Sequence, residues 1–187
     1  LIESGLQNVV SPAGAAGYWQ IMKSTGRENG LEINNEIDER YHIEKSTQVA
    51  CDYLNEAYER FGNWTLAAAS YNMGMAGTAR RLSEQGVKSY YDLLLNSETA
   101  RYVYRIAAVK HIHENLEEFG YVYHQDQGYS FPEMDTISVH SEVPDWISWA
   151  KTQGITYNTL RNYNPWIQSQ QLSNSTNKAY HIWVPSK

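Results

Sequence analysis

Glu3 is the first residue in the chain whose type and setting could support chemistry. It stands where residues 1–7, which we predict to be the end of a helix, meet a Pro/Gly/Ala loop at 8–17. A carboxyl at such a junction can be partly desolvated, which raises its pKa toward the range that a general acid needs. The alternative is a solvated surface carboxylate, which is the usual state of a glutamate. Glu3 alone therefore does not decide the function.

A series of short motifs follows Glu3 in a fixed order. The main members are Glu3-Ser4, residues 11–22 (SPAGAAGYWQIM) and residues 68–74 (AASYNMG). Further members are residues 38–41 (DERY), 61–64 (FGNW) and 98–103 (ETARYV). In this order and spacing, residues 1–118 resemble the lytic murein transglycosylases of the lysozyme superfamily. The resemblance implies a lysozyme-like, all-α catalytic domain that cuts the glycan strands of peptidoglycan.

The resemblance implies roles for four residues near the start of the chain. Glu3 would be the single catalytic acid and base, and Ser11 would sit beside the sugar whose bond is cut. Gln20 and Met22 would line the cleft. Taken without the resemblance, Ser11 is a turn residue and Gln20 a surface amide. The spacing from Glu3 to Ser11 is one residue shorter than the family pattern, which leaves the role of Ser11 open.

Three residues on predicted helices complete the candidate site. The resemblance implies that Tyr71 and Asn72 face the catalytic glutamate and that Tyr102 hydrogen-bonds near it. We therefore expect these three residues to form a cleft wall opposite Glu3. The alternative is that Tyr71 and Tyr102 are core aromatics whose hydroxyls bond to the backbone.

The acidic residues bear on the mechanism. Glycosidases ordinarily pair two carboxylates, yet no Asp or Glu lies between Glu3 and Glu28. This favours a one-carboxylate route to a 1,6-anhydro sugar without water, unless another carboxylate such as Glu98 folds into the cleft. A hydrolytic muramidase and a non-catalytic wall-binding protein remain the alternatives.

Composition excludes several other classes of function. The net charge of −6 argues against a nucleic-acid binder. No apolar run approaches the roughly 18 residues that a membrane span needs. His111 and His113 are two apart on a helix and point to different faces, and the other four His are scattered, so no metal site is expected. There is no phosphate loop, and no cofactor is expected. The single cysteine, Cys51, is interpreted as a small buried residue. The 15 Tyr and 6 Trp suit sugar binding, or else a Tyr-rich core.

Hydrophobic spacing predicts the elements that must position these residues. We predict short helical turns over 18–30, followed by longer helices. Gly62 should end the first of these, Asn63 should cap the second, and Gly74 and Gly77 should bracket the turn into the third. The predicted helices span residues 44–61, 64–73, 76–84 and 97–118. Nothing before residue 120 alternates with a strand period, so this part is predicted to be all-α.

The pattern changes after residue 120. Residues 121–135 are predicted to be an extended linker, and 136–187 a compact α+β module. Its order is a strand at 136–139, helices at 144–153 and 156–163, and a strand at 180–184 that Pro185 ends. The module resembles a LysM domain, a small peptidoglycan-binding fold. The usual Gly-Asp before the first helix is missing, so the module could bind sugar or serve as a structural cap.

The fold class predicted is therefore mainly α, with a catalytic domain at 1–120 and the LysM-like module at 136–187. The partner implied is the peptidoglycan glycan strand; protein partners cannot be inferred. The chain begins with Leu1 rather than Met, so we expect a fragment whose targeting region is absent. Family resemblance suggests the cell envelope, either the periplasm or the outer membrane.

Overall fold

A computed structural model describes residues 1–122 and 124–186. Tyr123, within the predicted linker, and Lys187, at the end of the predicted module, lie outside the described residues. The helices are α1 (Lys23–Glu28), α2 (Ile43–Phe61), α3 (Trp64–Met73), α4 (Met75–Gln85), α5 (Ser97–Glu114), α6 (Trp146–Thr152) and α7 (Tyr157–Tyr163). The strands are β1 (Met134–Val139) and β2 (Tyr180–Pro185). The prediction of a mainly helical fold with a small α+β module is confirmed.

Local sequence signals set most helix ends. Asn63 caps α3, because its side chain accepts a hydrogen bond of 2.8 Å from the backbone N–H of Leu66. Gly74 separates α3 from α4 at φ 82°, a left-handed conformation that glycine adopts readily. Its carbonyl accepts the N–H of Thr78 and so begins α4. Gly77 lies inside α4, so the prediction that it brackets the turn is wrong: Gly74 alone makes the turn.

Four other predictions need correction. Residues 1–7 form turns rather than a helix end, because Gly5 and Leu6 take φ values of 62° and 61°, which a right-handed helix cannot include. Cys51 is exposed on α2 rather than buried. α5 ends at Glu114, and residues 116–119 form a 3₁₀ turn instead of its last turn. Pro185 is the last residue of β2 rather than the stop after it.

The chain divides into two compact units. We call Leu1–Ile2 with Gln48–Gly128 the helical unit, and Glu3–Thr47 with Tyr129–Lys187 the mixed unit. In the helical unit, α3 packs against α4 and α5. Its core contains Leu66, Ala69 and Tyr90. The small side chains of α3 allow this close packing.

Among the described residues, none of the helices is both long enough and apolar enough to span a membrane.

The mixed unit joins the strand–helix–helix–strand module to residues near the start of the chain. β1 and β2 pair antiparallel from Met134 opposite Pro185 to Val139 opposite Tyr180. The core beneath them includes Trp146, Leu160 and Ile182, and it also takes in Ile37, which is fully buried. Ile37 forms an antiparallel bridge with Ile167. A segment far away in sequence therefore completes the hydrophobic core of the module.

Polar contacts reinforce this junction within the mixed unit. The Glu36 carboxylate accepts hydrogen bonds from the backbone N–H of Ser173 at 2.8 Å and from its hydroxyl at 2.7 Å. Glu32 accepts from Lys178 Nζ at 2.6 Å and from the Tyr180 hydroxyl at 3.0 Å. Residues 32–37 are therefore held to the module by both apolar and charged contacts.

Replacing Glu36 tests the polar part of this junction. The two bonds from Ser173, first the backbone N–H and then the hydroxyl, lower the pKa of Glu36 below 4.5. Glu36→Ala removes both hydrogen bonds from Ser173 and should lower the free energy of unfolding at neutral pH. The loss should be only about 1 kcal/mol, because solvent screens the carboxylate. For a chain of this size we expect a thermal midpoint lower by about 2–4 °C.

The pH dependence and a control make the test specific. A carboxylate whose pKa is lower in the folded state stabilises above its unfolded pKa, and that stabilisation is lost as the pH falls. The difference between Glu36→Ala and the wild type should therefore shrink below pH 4.5. The exposed Glu142, also in the mixed unit, gives the control Glu142→Ala. Equal midpoints for the two variants at neutral pH would contradict this account.

Candidate active site

Glu3 lies in a turn at the start of the mixed unit, and its side chain is half-buried. The next residue fixes this turn to the loop that follows, because the Ser4 hydroxyl donates a hydrogen bond of 2.9 Å to the carbonyl of Tyr18. A half-buried carboxyl on a tethered turn can hold a proton at a defined position. This is the setting that general acid–base chemistry requires.

The loop of residues 9–21 is closed by its own hydrogen bonds. Ala16 forms antiparallel bridges with both Val10 and Ile21. The Gln20 amide donates to the carbonyls of Val9 at 2.9 Å and Gly17 at 2.8 Å. These bridges are short β pairings that the all-α prediction for residues 1–120 missed. They leave the loop with a defined shape.

Ser11, Gln20 and Met22 were expected to contact substrate. The Ser11 hydroxyl accepts a hydrogen bond of 3.1 Å from the backbone N–H of Ala15, so it stabilises a turn. The Gln20 amide braces the loop, and its backbone takes φ 49°. Met22 is 43% exposed and precedes α1. The structure gives Ser11 and Gln20 clear structural roles; substrate contact by the three remains a prediction.

Arg40 anchors the loop, and sequence analysis did not single it out. Its buried guanidinium forms an ion pair with Asp38, with Nη2 2.7 Å from Oδ2 and Nε 3.0 Å from Oδ1. Its Nη1 donates to the carbonyls of Gly14 at 2.9 Å and Ile21 at 3.2 Å. One side chain therefore holds both ends of the loop segment 14–21. The available signal was the DERY motif, which was noted only as part of the resemblance.

Gly17 lies directly against the backbone of Arg40. A Cβ added at Gly17 would stand 2.1 Å from the carbonyl oxygen of Arg40, whereas one added at Gly14 would meet no atom within 4 Å. Both glycines have positive φ, 81° and 85° respectively. The loop thus needs glycine at 17 for close approach as well as for conformation.

The pair Gly17→Ala and Gly14→Ala separates these two requirements. Both variants incur the strain of a left-handed alanine, about 1–3 kcal/mol. Gly17→Ala must also displace the Arg40 carbonyl, at a further cost of about 1–3 kcal/mol. We expect Gly17→Ala to be the less stable of the two in urea unfolding, or not to fold. Equal stability would show that the loop does not pack on Arg40 as described.

The helical unit contains the remaining candidates, Tyr71, Asn72 and Tyr102. Asn72 Oδ1 accepts a hydrogen bond of 2.8 Å from the hydroxyl of Thr99 in the first turn of α5. Its amide makes a long contact of 3.5 Å with Glu98. The buried Thr99 therefore orients Asn72, a supporting role that only a three-dimensional structure could identify.

The two tyrosines sit in different surroundings. Tyr71 packs edge-on against Tyr53 with ring centroids 5.4 Å apart. The Tyr53 hydroxyl donates to the carbonyl of Ser70 and accepts from the N–H of Met75, so it fixes the end of α3 that carries Tyr71. Burial raises the pKa of Tyr53. Tyr102 is buried on α5.

The candidate residues therefore fall into two sets. Glu3, Ser11, Gln20 and Met22 belong to the mixed unit, where Ser4 and Arg40 support them. Tyr71, Asn72 and Tyr102 belong to the helical unit, where α3 and α5 carry them. That all of them act on one substrate remains a prediction.

Comparison with known proteins gives two family matches. Residues 2–94 match the transglycosylase SLT domain, and residues 135–187 match the soluble lytic transglycosylase C-terminal LysM-like domain. These matches confirm both resemblances inferred from the sequence.

Two individual relatives are consistent with the SLT domain match. The membrane-bound lytic murein transglycosylase D of Escherichia coli K12 is 31% identical over 126 residues, which cover 64% of this chain. The protein of the same name from E. coli O6:H1 matches with the same identity and coverage. The chain spans 28% of the length of these relatives. The chain therefore contains a transglycosylase SLT domain over residues 2–94, followed by a soluble lytic transglycosylase C-terminal LysM-like domain over residues 135–187.

Proposed function

We propose that this chain is a peptidoglycan lytic transglycosylase with Glu3 as its sole general acid and base. The bond cut is the β-1,4 link between N-acetylmuramic acid and N-acetylglucosamine. The observation that carries the proposal is the SLT family match, which includes Glu3-Ser4 and the loop that Ser4 and Arg40 hold in place.

The proposed reaction needs one carboxyl group. Protonated Glu3 gives its proton to the glycosidic oxygen, and the bond from that oxygen to C1 of the muramic acid breaks. The N-acetyl group of the sugar shelters the positive charge that develops at C1. The Glu3 carboxylate then takes the proton from the 6-hydroxyl, and O6 bonds to C1. The product ends in 1,6-anhydro-muramic acid, and the carboxyl is protonated again with no water consumed.

The other carboxylates near the start of the chain support this route over hydrolysis. Asp38 is paired with Arg40, Glu39 with Lys45, and Glu36 with Ser173. A muramidase would need a second carboxylate to activate water. Those at 36–39 are already engaged in structural contacts. Glu98, the alternative raised from the sequence, is exposed in the helical unit and contacts the Asn72 amide at 3.5 Å, so the support for this route comes from the carboxylates at 36–39.

The remaining parts of the proposal follow from the family. Glycan contacts by Ser11, Gln20, Met22, Tyr71, Asn72 and Tyr102 are proposed from the resemblance. We also propose residues 1–120 as the catalytic domain, 121–135 as a linker and 136–187 as the LysM-like domain; the strand predicted at 136–139 in fact begins at Met134, so the last two linker residues belong to β1. The E. coli relatives are named membrane-bound, and we propose a cell-envelope location, periplasmic or at the outer membrane, for this chain.

Glu3→Gln tests the central residue. The amide keeps the size of the side chain but cannot give up or take a proton, and acid–base roles are each worth about 10²–10⁴-fold. We expect clearing of purified cell walls to fall by at least about 10²-fold, with an unchanged thermal midpoint.

Glu28→Gln is the matched control. Glu28 is exposed at the end of α1 in the mixed unit and should tolerate the same change with full activity. A Glu3→Gln variant that clears walls as fast as Glu28→Gln would contradict the role of Glu3. Loss of both activity and stability would assign Glu3 to the fold.

A further inference from the structure

An aromatic pocket of about 180 Å³ lies within the mixed unit. Its lining includes Tyr18, Tyr41 and His42 from the first part of the chain, and Tyr163, Trp166 and Trp183 from the last part. The first group belongs to the SLT match and the second to the LysM-like match. Residues 141–144, which stand where the usual Gly-Asp of the LysM pattern is missing, do not line it. The pocket is therefore formed jointly by residues of two family matches.

The size and lining of the pocket restrict what can occupy it. Its volume is more than ten times the ~10–15 Å³ that a single water needs, which leaves room for one small ring. Of the ten residues that line the pocket, six are Tyr, Trp or Phe, and none is Asp, Glu, Lys or Arg. Flat apolar faces with a few polar edges suit a neutral ring that has both C–H and hydroxyl surfaces.

The rings are held in place by contacts among themselves. His42 stacks on Trp166 with centroids 5.7 Å apart and meets Trp183 edge-on at 6.1 Å. Phe131 meets Trp183 edge-on at 5.9 Å. The walls are therefore preformed, which reduces the entropy cost of binding.

His42 is a half-buried member of the pocket lining. Burial lowers the pKa of His42, which keeps the imidazole uncharged near neutral pH and in character with a neutral ligand.

The pocket also adjoins the turn that carries Glu3. Tyr18, one of its walls, accepts the hydrogen bond from the Ser4 hydroxyl through its carbonyl. We propose that this pocket binds one N-acetylhexosamine ring of a glycan strand, as a holding site formed by both domains. The choice of sugar rests on the proposed function; the size and neutrality of the ligand rest on the pocket.

The test uses a signal from within the pocket. The full chain, with Glu3→Gln to stop turnover, is labelled with 5-fluorotryptophan and titrated with the tetramer of N-acetylglucosamine. The fluorine signals of Trp183 and Trp64 are assigned by replacing each with Phe. Trp64 is exposed in the helical unit and serves as the reference. We expect the Trp183 signal to move saturably while that of Trp64 stays in place.

Two exposed aromatics provide matched variants. Phe131, 69% exposed, lines the pocket, whereas the fully exposed Tyr129 two residues earlier does not. Neither is buried, so both alanine variants should fold. Phe131→Ala should weaken binding seen at Trp183 about three- to tenfold, and Tyr129→Ala should leave it unchanged.

The outcomes separate this proposal from the proposed function. If the Trp183 fluorine signal does not shift up to the solubility limit of the sugar, the pocket does not bind the sugar. The proposal is then wrong, even if the wild type cleaves cell walls. Equal binding by Phe131→Ala and Tyr129→Ala overturns it as well. Saturable, Phe131-dependent binding in a chain whose wild type cleaves nothing supports the pocket and contradicts the proposed function.

Discussion

The buried ion pair of Arg40 and Asp38 is the interaction on which most of the mixed unit depends. Burying two charges is unfavourable unless each is fully bonded, and Arg40 meets this condition with Asp38 and with the carbonyls of Gly14 and Ile21. Asp38 comes directly after Ile37, whose side chain packs in the core of the LysM-like module. The pair thus fixes the loop beyond Glu3 and places Ile37 where the module needs it.

This arrangement changes how the module can be understood. The sequence left open whether residues 136–187 bind sugar or cap the catalytic domain. The shared core and the contacts of Glu32 and Glu36 show that the module packs on residues 32–37 of the SLT match. The proposed sugar site in the aromatic pocket is compatible with that packing, because its lining comes from both domain matches.

Local physics made much of the fold predictable. Helical spacing and the cap at Asn63 gave α2 and α3 to within a residue, since nearby residues decide both. Pairings that depend on distant partners were missed: the bridges of Ala16, and the burial of Ile37 against Ile167. Arg40 belongs to the same class, because nothing local distinguishes a buried guanidinium from a solvated one.

The candidate site, whose roles remain predictions, shows the same division between local and distant signals. Motif order led to the family, and the family led to Glu3. The residues that hold the candidates, such as Thr99 beside Asn72 and Tyr53 beside Tyr71, come from other helices and have no local signature. Ser11 and Gln20 differ from these supporting residues, because they belong to the motifs and their side chains form hydrogen bonds within their own loop.

The chemical form of the sugar ends released from cell walls tests the one-carboxylate mechanism most directly. Mass spectrometry of walls digested by this chain should find 1,6-anhydro-muramic acid ends, lighter than the hydrolysis product by one water, about 18 Da. These ends should resist borohydride and carry no ¹⁸O after digestion in labelled water. Reducible ends that contain ¹⁸O would show that water is the nucleophile, and would contradict the account in which Glu3 acts alone.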